Sequence, residues 1–367
     1  MKISRFPRVG SAVMVGALAL SLAACGSDPG ADEPNGEGSE TAMDLSGDLN
    51  GGGASSQESA MEAWRAGFQG QYPDVTVNYD PVGSGGGREQ FGSGAFSFAG
   101  SDAALDEDEM ATAEEICGAG GVIEYPGYIS PVAVAFNLEG IDTLNMSPET
   151  IANIFAGEIT TWDDEAIATD NPDADLPSTD ITVVHRSDDS GTTENFQEYL
   201  NTVVPDVWTY EPEGIWPIEG QESAPQTSGV VSAAQAGEGT ITYADASQIA
   251  DLGTVAVGVG DEFVEYSPEA AAAVVEGSPR VEGTGEHVFA YDLQRDIEGT
   301  YPIVLVSYHL ACATYEDAAT ADLVKGFYTY ILSDEGQQAA ADSAGSAPLP
   351  TSLTEQFLPS VEAITAG

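Results

Sequence analysis

Three stretches of this chain share one pattern, a glycine- and serine-rich loop placed just ahead of a helical periodicity. The first is Leu49-Asn50-Gly51-Gly52-Gly53-Ala54-Ser55-Ser56, followed by Met61, Trp64 and Phe68 at helical spacing. The second starts from the strand-like alternation Val75-Thr76-Val77-Asn78-Tyr79 and runs into Pro81-Val82-Gly83-Ser84-Gly85-Gly86-Gly87-Arg88. The third enters from Ile181-Thr182-Val183-Val184, passes through His185-Arg186-Ser187-Asp188-Asp189-Ser190-Gly191-Thr192, and leads to Phe196, Tyr199 and Leu200 on one helix face. Strand, loop, helix is the unit of an α/β fold, and it gathers free backbone N–H groups and the positive end of a helix dipole toward one point. One such loop says little, because serine and threonine are ordinary N-caps. Three, with Arg186 inside one of them, point to a small oxyanion ligand. None ends in the Gly-Lys-Ser/Thr of a P-loop, so nucleotide binding is not favoured.

The composition narrows the partners. Acids outnumber bases 61 to 9 over 367 residues, and the formal net charge is −52. Such a field repels nucleic acid and anionic lipid, which argues against DNA or RNA binding. Apolar residues make up 42% of the chain, enough for a globular body of about two domains at the usual 100–200 residues each. The three histidines, His185, His287 and His309, are never i, i+3 or i+4 from one another, and there is no Cys-x-x-Cys, so zinc chemistry has little support. No histidine stands by motif as a partner for Ser55 or Ser190, which disfavours a phosphatase or other phosphotransfer enzyme.

The N-terminus reads as an address followed by an anchor. Lys2, Arg5 and Arg8 precede the apolar run 12–20, which is too short for a permanent span. It ends in Leu22-Ala23-Ala24-Cys25, which resembles the bacterial lipobox, so residues 1–24 are expected to be a signal peptide and Cys25 the lipidated residue. Residues 25–44, mostly Gly, Ser, Asp, Glu and Pro, suit a flexible tether. With Cys25 set aside, Cys117 and Cys312 remain; in an exported protein they suggest one disulfide, the alternative being two buried thiols. A bridge requires a chain that leaves a domain and returns to it.

Taken in order, the segments resemble the phosphate-binding lipoproteins of the bacterial phosphate ABC importer, the PstS family, from about Leu49 to the C-terminus. The specific segments are Arg186-Ser187-Asp188-Asp189-Ser190-Gly191-Thr192 and Phe98-Ala99-Gly100-Ser101-Asp102. Supporting ones are Gly51 to Ser56, Gly83-Ser84-Gly85-Gly86, Ile154-Phe155-Ala156-Gly157-Glu158-Ile159, Trp162-Asp163-Asp164, Ile241-Thr242-Tyr243, Tyr301-Pro302-Ile303 and Pro348-Leu349-Pro350. The resemblance implies phosphate ligands Ser55, Ser56, Ser84, Asp102, Arg186, Ser190, Gly191 and Thr192, with Asp188 holding Arg186 by a salt bridge. Some relatives carry Thr-Phe where this chain has Ser55-Ser56, and there the second residue contributes its backbone N–H. Arg88 could reach the cleft, but the family requires no base there. His185 and His309 are expected to be structural.

An aspartate in an anion site has a chemical reason. Orthophosphate near neutral pH keeps at least one proton and sulfate keeps none. A buried Asp102 carboxylate accepts a hydrogen bond from that proton and meets only lone pairs on sulfate. The other role open to Asp102 is a helix N-cap before Ala103-Ala104-Leu105.

The implied architecture is a class II periplasmic-binding-protein fold: two α/β domains, each with a largely parallel sheet, joined by a two-crossover hinge with the ligand cleft between them. Domain I is expected at 45–130 plus 300–367 and domain II at 131–299, with crossings near 129–136 and 291–303. Cys117 and Cys312 then both fall in or beside domain I. The resemblance further implies a non-enzymatic, cofactor-free monomer, held by lipid at the outer face of the cytoplasmic membrane and delivering phosphate to the transmembrane subunits of an ABC permease. The rivals are binding of sulfate or molybdate, and a surface adhesion or sensory lipoprotein on the same fold.

Overall fold

The computed structural model describes residues 44–367, Gly283 excepted. The signal peptide, the lipobox with Cys25, and the tether up to residue 43 lie outside the described residues. The chain opens as strands alternating with helices: β1 (Gly47–Gly53), α1 (Glu58–Gln71), β2 (Val75–Asp80), α2 (Ser84–Gly92), β3 (Phe98–Ser101) and α3 (Glu107–Cys117). A long strand, β4 (Val122–Phe136), leads to β5 (Thr143–Met146), α4 (Pro148–Ala156), α5 (Glu165–Asp170), β6 (Thr182–Arg186) and α6 (Gly191–Val203). Then come β7 (Glu222–Ala224), α7 (Gln226–Ala236), β8 (Thr240–Asp245), β9 (Gly253–Val259), β10 (Glu262–Val264) and α8 (Pro268–Gly277). The chain returns along β11 (Val304–Cys312) and ends with β12 (Thr314–Tyr315), α9 (Ala318–Leu332), α10 (Asp334–Ala344), α11 (Thr351–Glu362) and β13 (Thr365–Ala366).

Eleven strands form one sheet in the order β2-β1-β3-β11-β4-β8-β6-β7, with β9 also pairing β4 and carrying β5 and β10. The sheet therefore has two arms that share β4. The outer pairings β1–β2, β1–β3, β6–β7, β6–β8 and β5–β9 are parallel, as strand–helix–strand units require. The inner pairings β3–β11, β11–β4, β4–β8 and β4–β9 are antiparallel, because a strand leaving one arm and a strand re-entering it run in opposite directions. The expectation of largely parallel sheets is corrected accordingly: the sheet is mixed. The outgoing crossing at 129–136 lies within β4. Directly after the segment 291–303, where the return was expected, the chain enters β11, which pairs Val304 with Pro131. Pro302 lacks an N–H for a ladder, and the strand begins two residues after it.

Local sequence explains the elements around the loops. Helix α6 starts where the Ser190 hydroxyl accepts the Thr193 N–H at 3.2 Å, and Phe196, Tyr199 and Leu200 are fully buried along one face. Each such side chain contributes about 1.5–3 kcal/mol by leaving water. Helix α3 is capped by Asp106 and Glu109 in a reciprocal box, so the N-cap belongs to Asp106 and Asp102 is free of that role. Around β11 the core is aromatic: His309 packs edge-on to Trp64 and Tyr125 and stacks on Tyr328, and burial presses its pKa down to about 3. Cys117, at the end of α3, and Cys312, at the end of β11, form a disulfide across 195 positions, with Cα atoms 5.0 Å apart.

Candidate anion-binding site

Asp102 is the centre of a buried polar cluster. It follows β3 and is 3% exposed. Its Oδ1 accepts from the Ser56 hydroxyl at 2.7 Å and from the Ser307 hydroxyl; its Oδ2 accepts from the Thr192 hydroxyl at 2.9 Å. Its backbone N–H donates to the Ser84 hydroxyl oxygen at 3.1 Å, and its carbonyl accepts from Asn195 Nδ2 at 2.7 Å. Burial raises the Asp102 pKa above the ordinary carboxylate value, and the hydroxyls of Ser307, Ser56 and Thr192 together with the Arg186 charge pull it back. A carboxylate offers about four lone-pair positions, and three are filled by hydroxyls, which leaves room for one more donor.

The three glycine-serine loops do converge. Ser56 sits just before α1, Ser84 is the first residue of α2, and Gly191 and Thr192 open α6, so three helix N-termini meet at Asp102. The first N–H groups of a helix lack intrahelical partners, and the dipole there favours negative charge. Gly191 has a steric reason: a Cβ on it would lie 2.7 Å from Asp102 Cβ and 2.9 Å from the Ala103 nitrogen. The Ser84 and Ser190 oxygens each accept a backbone N–H, from Asp102 and Thr193, so their own protons can be donated elsewhere.

Arg186, at the end of β6, is 3% exposed, and Asp188 grips its guanidinium through Nε at 2.7 Å and Nη2 at 2.5 Å. The Gln226 N–H donates to the same carboxylate at 3.0 Å. These contacts hold the Asp188 pKa below its usual value, against a burial effect that acts upward. Ser55 is placed differently from Ser56: its hydroxyl lies 3.1 Å from the Thr227 hydroxyl and accepts the Thr227 N–H, bridging to the start of α7. Gln248 Nε2 donates to the carbonyls of both serines. Arg88 bonds to Glu109 and to Ser101, the residue before Asp102. His185 stacks on Trp216 at 5.3 Å, and burial lowers its pKa.

Sequence reasoning missed Ser307, Asn195 and Thr227. Ser307 lies on β11 among apolar residues with no loop near it. The only signal was a serine at a fully buried strand position. Asn195 also donates to the Gly191 carbonyl and accepts from Arg295 Nη2 at 2.9 Å, so it ties the start of α6 to Asp102.

Known proteins bear directly on this arrangement. The family described as PBP superfamily domain matches residues 33–335. The chain is 31% identical to the phosphate-binding protein PstS2 of Mycobacterium bovis (strain BCG / Pasteur 1173P2), over 98% of this chain and all of that one. It is 32% identical to the phosphate-binding protein PstS 3 of Mycobacterium tuberculosis (strain ATCC 25618 / H37Rv), over 99% of this chain and all of that one. Among solved structures, a high-affinity periplasmic phosphate-binding protein, PfluDING, bound with phosphate, superposes with a TM-score of 0.67 at 24% identity, covering 84% of this chain and 92% of that one. A phosphate-binding protein from Stenotrophomonas maltophilia gives a TM-score of 0.66 at 20% identity, over 86% and 94%. These structures share the fold, and the full-length relatives fix the lineage: the chain belongs to the PstS family of phosphate-binding proteins, within the PBP superfamily.

Proposed function

We propose that this protein binds inorganic phosphate at the Asp102 cluster, outside the cytoplasm, and delivers it to the transmembrane subunits of an ABC importer. The carrying observation is the buried Asp102 carboxylate, with three hydroxyl donors and one acceptor position to spare, next to a clamped arginine and three helix N-termini. The ligand set is Ser55, Ser56, Ser84, Asp102, Arg186, Ser190, Gly191 and Thr192. Hydroxyls, N–H groups and the guanidinium neutralise the oxyanion, and the carboxylate accepts its proton. Asp188 holds the Arg186 fork in the plane that two phosphate oxygens require.

The reading is of a binding site: its hydroxyls donate to a carboxylate or accept backbone N–H groups, an arrangement suited to holding an anion. Residues 45–130 with 300–367 act as one lobe and 131–299 as the other, hinged at β4 and β11, and closure removes water from the anion. Among the described residues no helix is long and apolar enough to cross a membrane. Lipid on Cys25 supplies the attachment, holding a monomer at the outer face of the cytoplasmic membrane. The test is calorimetric titration of ligand-stripped protein with phosphate and then with sulfate at moderate salt. Micromolar or tighter phosphate binding without sulfate heat is expected. Equal binding of both anions refutes the role of Asp102, and no heat with either refutes the phosphate reading.

A further inference from the structure

Arg88 is 9% exposed and belongs to α2, one turn beyond Ser84 and so on the same helix face. Its guanidinium is spread over three partners. Nε donates to Glu109 Oε1 at 2.7 Å, Nη1 donates to the Ser101 hydroxyl at 3.0 Å, and Nη2 stands 3.7 Å from Asp189 Oδ1. Ser101 is the residue before Asp102, and its hydroxyl also donates to the Ala103 carbonyl and accepts the Ala103 N–H, closing the turn around Asp102. Asp189 is the residue before Ser190. One side chain thus reaches the residue preceding the buried carboxylate and the residue preceding the cap of α6, which lie on different arms of the sheet.

The backbone is shaped for this approach. The Gly85 N–H points at the Asp189 carbonyl at 3.4 Å, and a Cβ on Gly85 would sit 2.2 Å from Asp189 Cγ. Glycine at 85 leaves the room that the Asp189 carboxylate occupies beside Arg88.

We propose that Arg88 is a positioning residue of the anion site: without touching the ligand, it clasps the turn that presents Asp102 to the turn that presents Ser190, and so slows escape of the bound anion. This rests on the phosphate reading. A clasp that forms as the arms meet acts on the closed state, so it governs dissociation and leaves the encounter nearly unchanged. Arginine suits it because its planar fork can serve three partners at once, whereas a lysine ammonium cannot span them.

The test is stopped-flow release of phosphate from the purified full chain, followed by intrinsic tryptophan fluorescence, for wild type, Arg88→Gln, Arg88→Lys, Asp189→Asn and the Arg88→Gln/Asp189→Asn double variant. Arg88→Gln should release roughly tenfold faster, with association within about twofold of wild type. Asp189→Asn, at a half-exposed position that does not threaten the fold, should release about threefold faster. Arg88→Lys should fall between wild type and the glutamine variant, and the double variant should be no faster than Arg88→Gln alone. Additive effects, or wild-type release in folded Arg88→Gln and in Asp189→Asn, overturn the proposal; if Arg88→Gln does not fold, Asp189→Asn and Arg88→Lys decide. Hydrogen exchange of the ligand-free proteins at Gly85 and residues 190–193 separates the two layers. A wild type that binds no phosphate overturns the functional reading. Faster exchange there in Asp189→Asn still supports the clasp, and unchanged exchange removes it.

Discussion

Replacing Asp102 by asparagine keeps the shape of the side chain and removes its charge, which isolates the one feature that would tell phosphate from sulfate. The amide oxygen can still accept from Ser56 and Ser307, now 2.7 Å or less from Oδ1, so the fold should survive. The amide nitrogen then replaces Oδ2, where Thr192 now donates at 2.9 Å, and the Thr192 hydroxyl must turn to accept. Phosphate loses a charge-assisted bond from its own O–H, a loss of about 1.5–3 kcal/mol. Removal of a carboxylate that is 3% exposed also removes repulsion of any anion beside Arg186, which offsets part of that loss. The net for phosphate is a Kd weakened by about tenfold. Sulfate gains on both counts, because it no longer leaves a buried acceptor unpaired. A site built around a ligand hydrogen bond rejects the analogue lacking it by about 10⁴–10⁵, and the asparagine variant should fall to within about a hundredfold. Competitive calorimetry with both anions near pH 7.5 reads the ratio directly. An asparagine variant that keeps the wild-type phosphate preference refutes the reasoning.

Three further outcomes are expected. Ser307→Ala removes a donor that pulls the Asp102 pKa down, so the pH at which sulfate begins to compete should move upward, and a pH series of anion competition that matches wild type counts against Ser307. Burial raises Glu124, Glu194 and Asp245 to about 7 each, so ionising them costs the folded state more than the unfolded one. Their penalty is absent below the ordinary carboxylate range and complete above about pH 7; stability should therefore fall as pH rises from 5 to 8, and a Tm in calorimetry that rises over that range contradicts the assignment. Replacing Cys117 and Cys312 by serine opens a closed loop of 195 positions, a loss of about 5 kcal/mol in the chain-entropy account, to be read as a lower denaturation midpoint in urea.

What could be read from the sequence divides by the range of the interactions that decide it. The loops at Ser55-Ser56, Ser84 and 186–192 were legible because each carries its own signal: glycine, hydroxyls and a following helical face. Their meeting at Asp102 was expected only from the family resemblance; in the folded chain Ser56, Ser84 and Thr192 each hydrogen-bond to Asp102. Ser307 was not legible, since its role exists only because β11 runs antiparallel beside β3 and brings it under Asp102. The mixed sheet was missed for the same reason. Periodicity finds strands such as the run Val75-Thr76-Val77-Asn78-Tyr79 but is blind to their direction, which is set by how the chain crosses between arms. Arg88 stood in a recognised loop, yet its partners Glu109 and Asp189 lie on other elements, and only the folded chain says which way its guanidinium turns.

The order of pairing in the sheet has a consequence for folding during synthesis. As the chain is made from its N-terminus, β1, β2 and β3 can form at once, but the outer edge of β3 has no neighbour until Val304–Cys312 arrives. During that interval the nascent protein presents a bare edge strand with buried-type residues, a template for mispairing with other chains. The strands β5 to β10 that emerge in between can pair among themselves and against β4. The arm that begins the chain is thus the last to be sealed, and the stretch from Val304 onward serves as its own late-arriving chaperone.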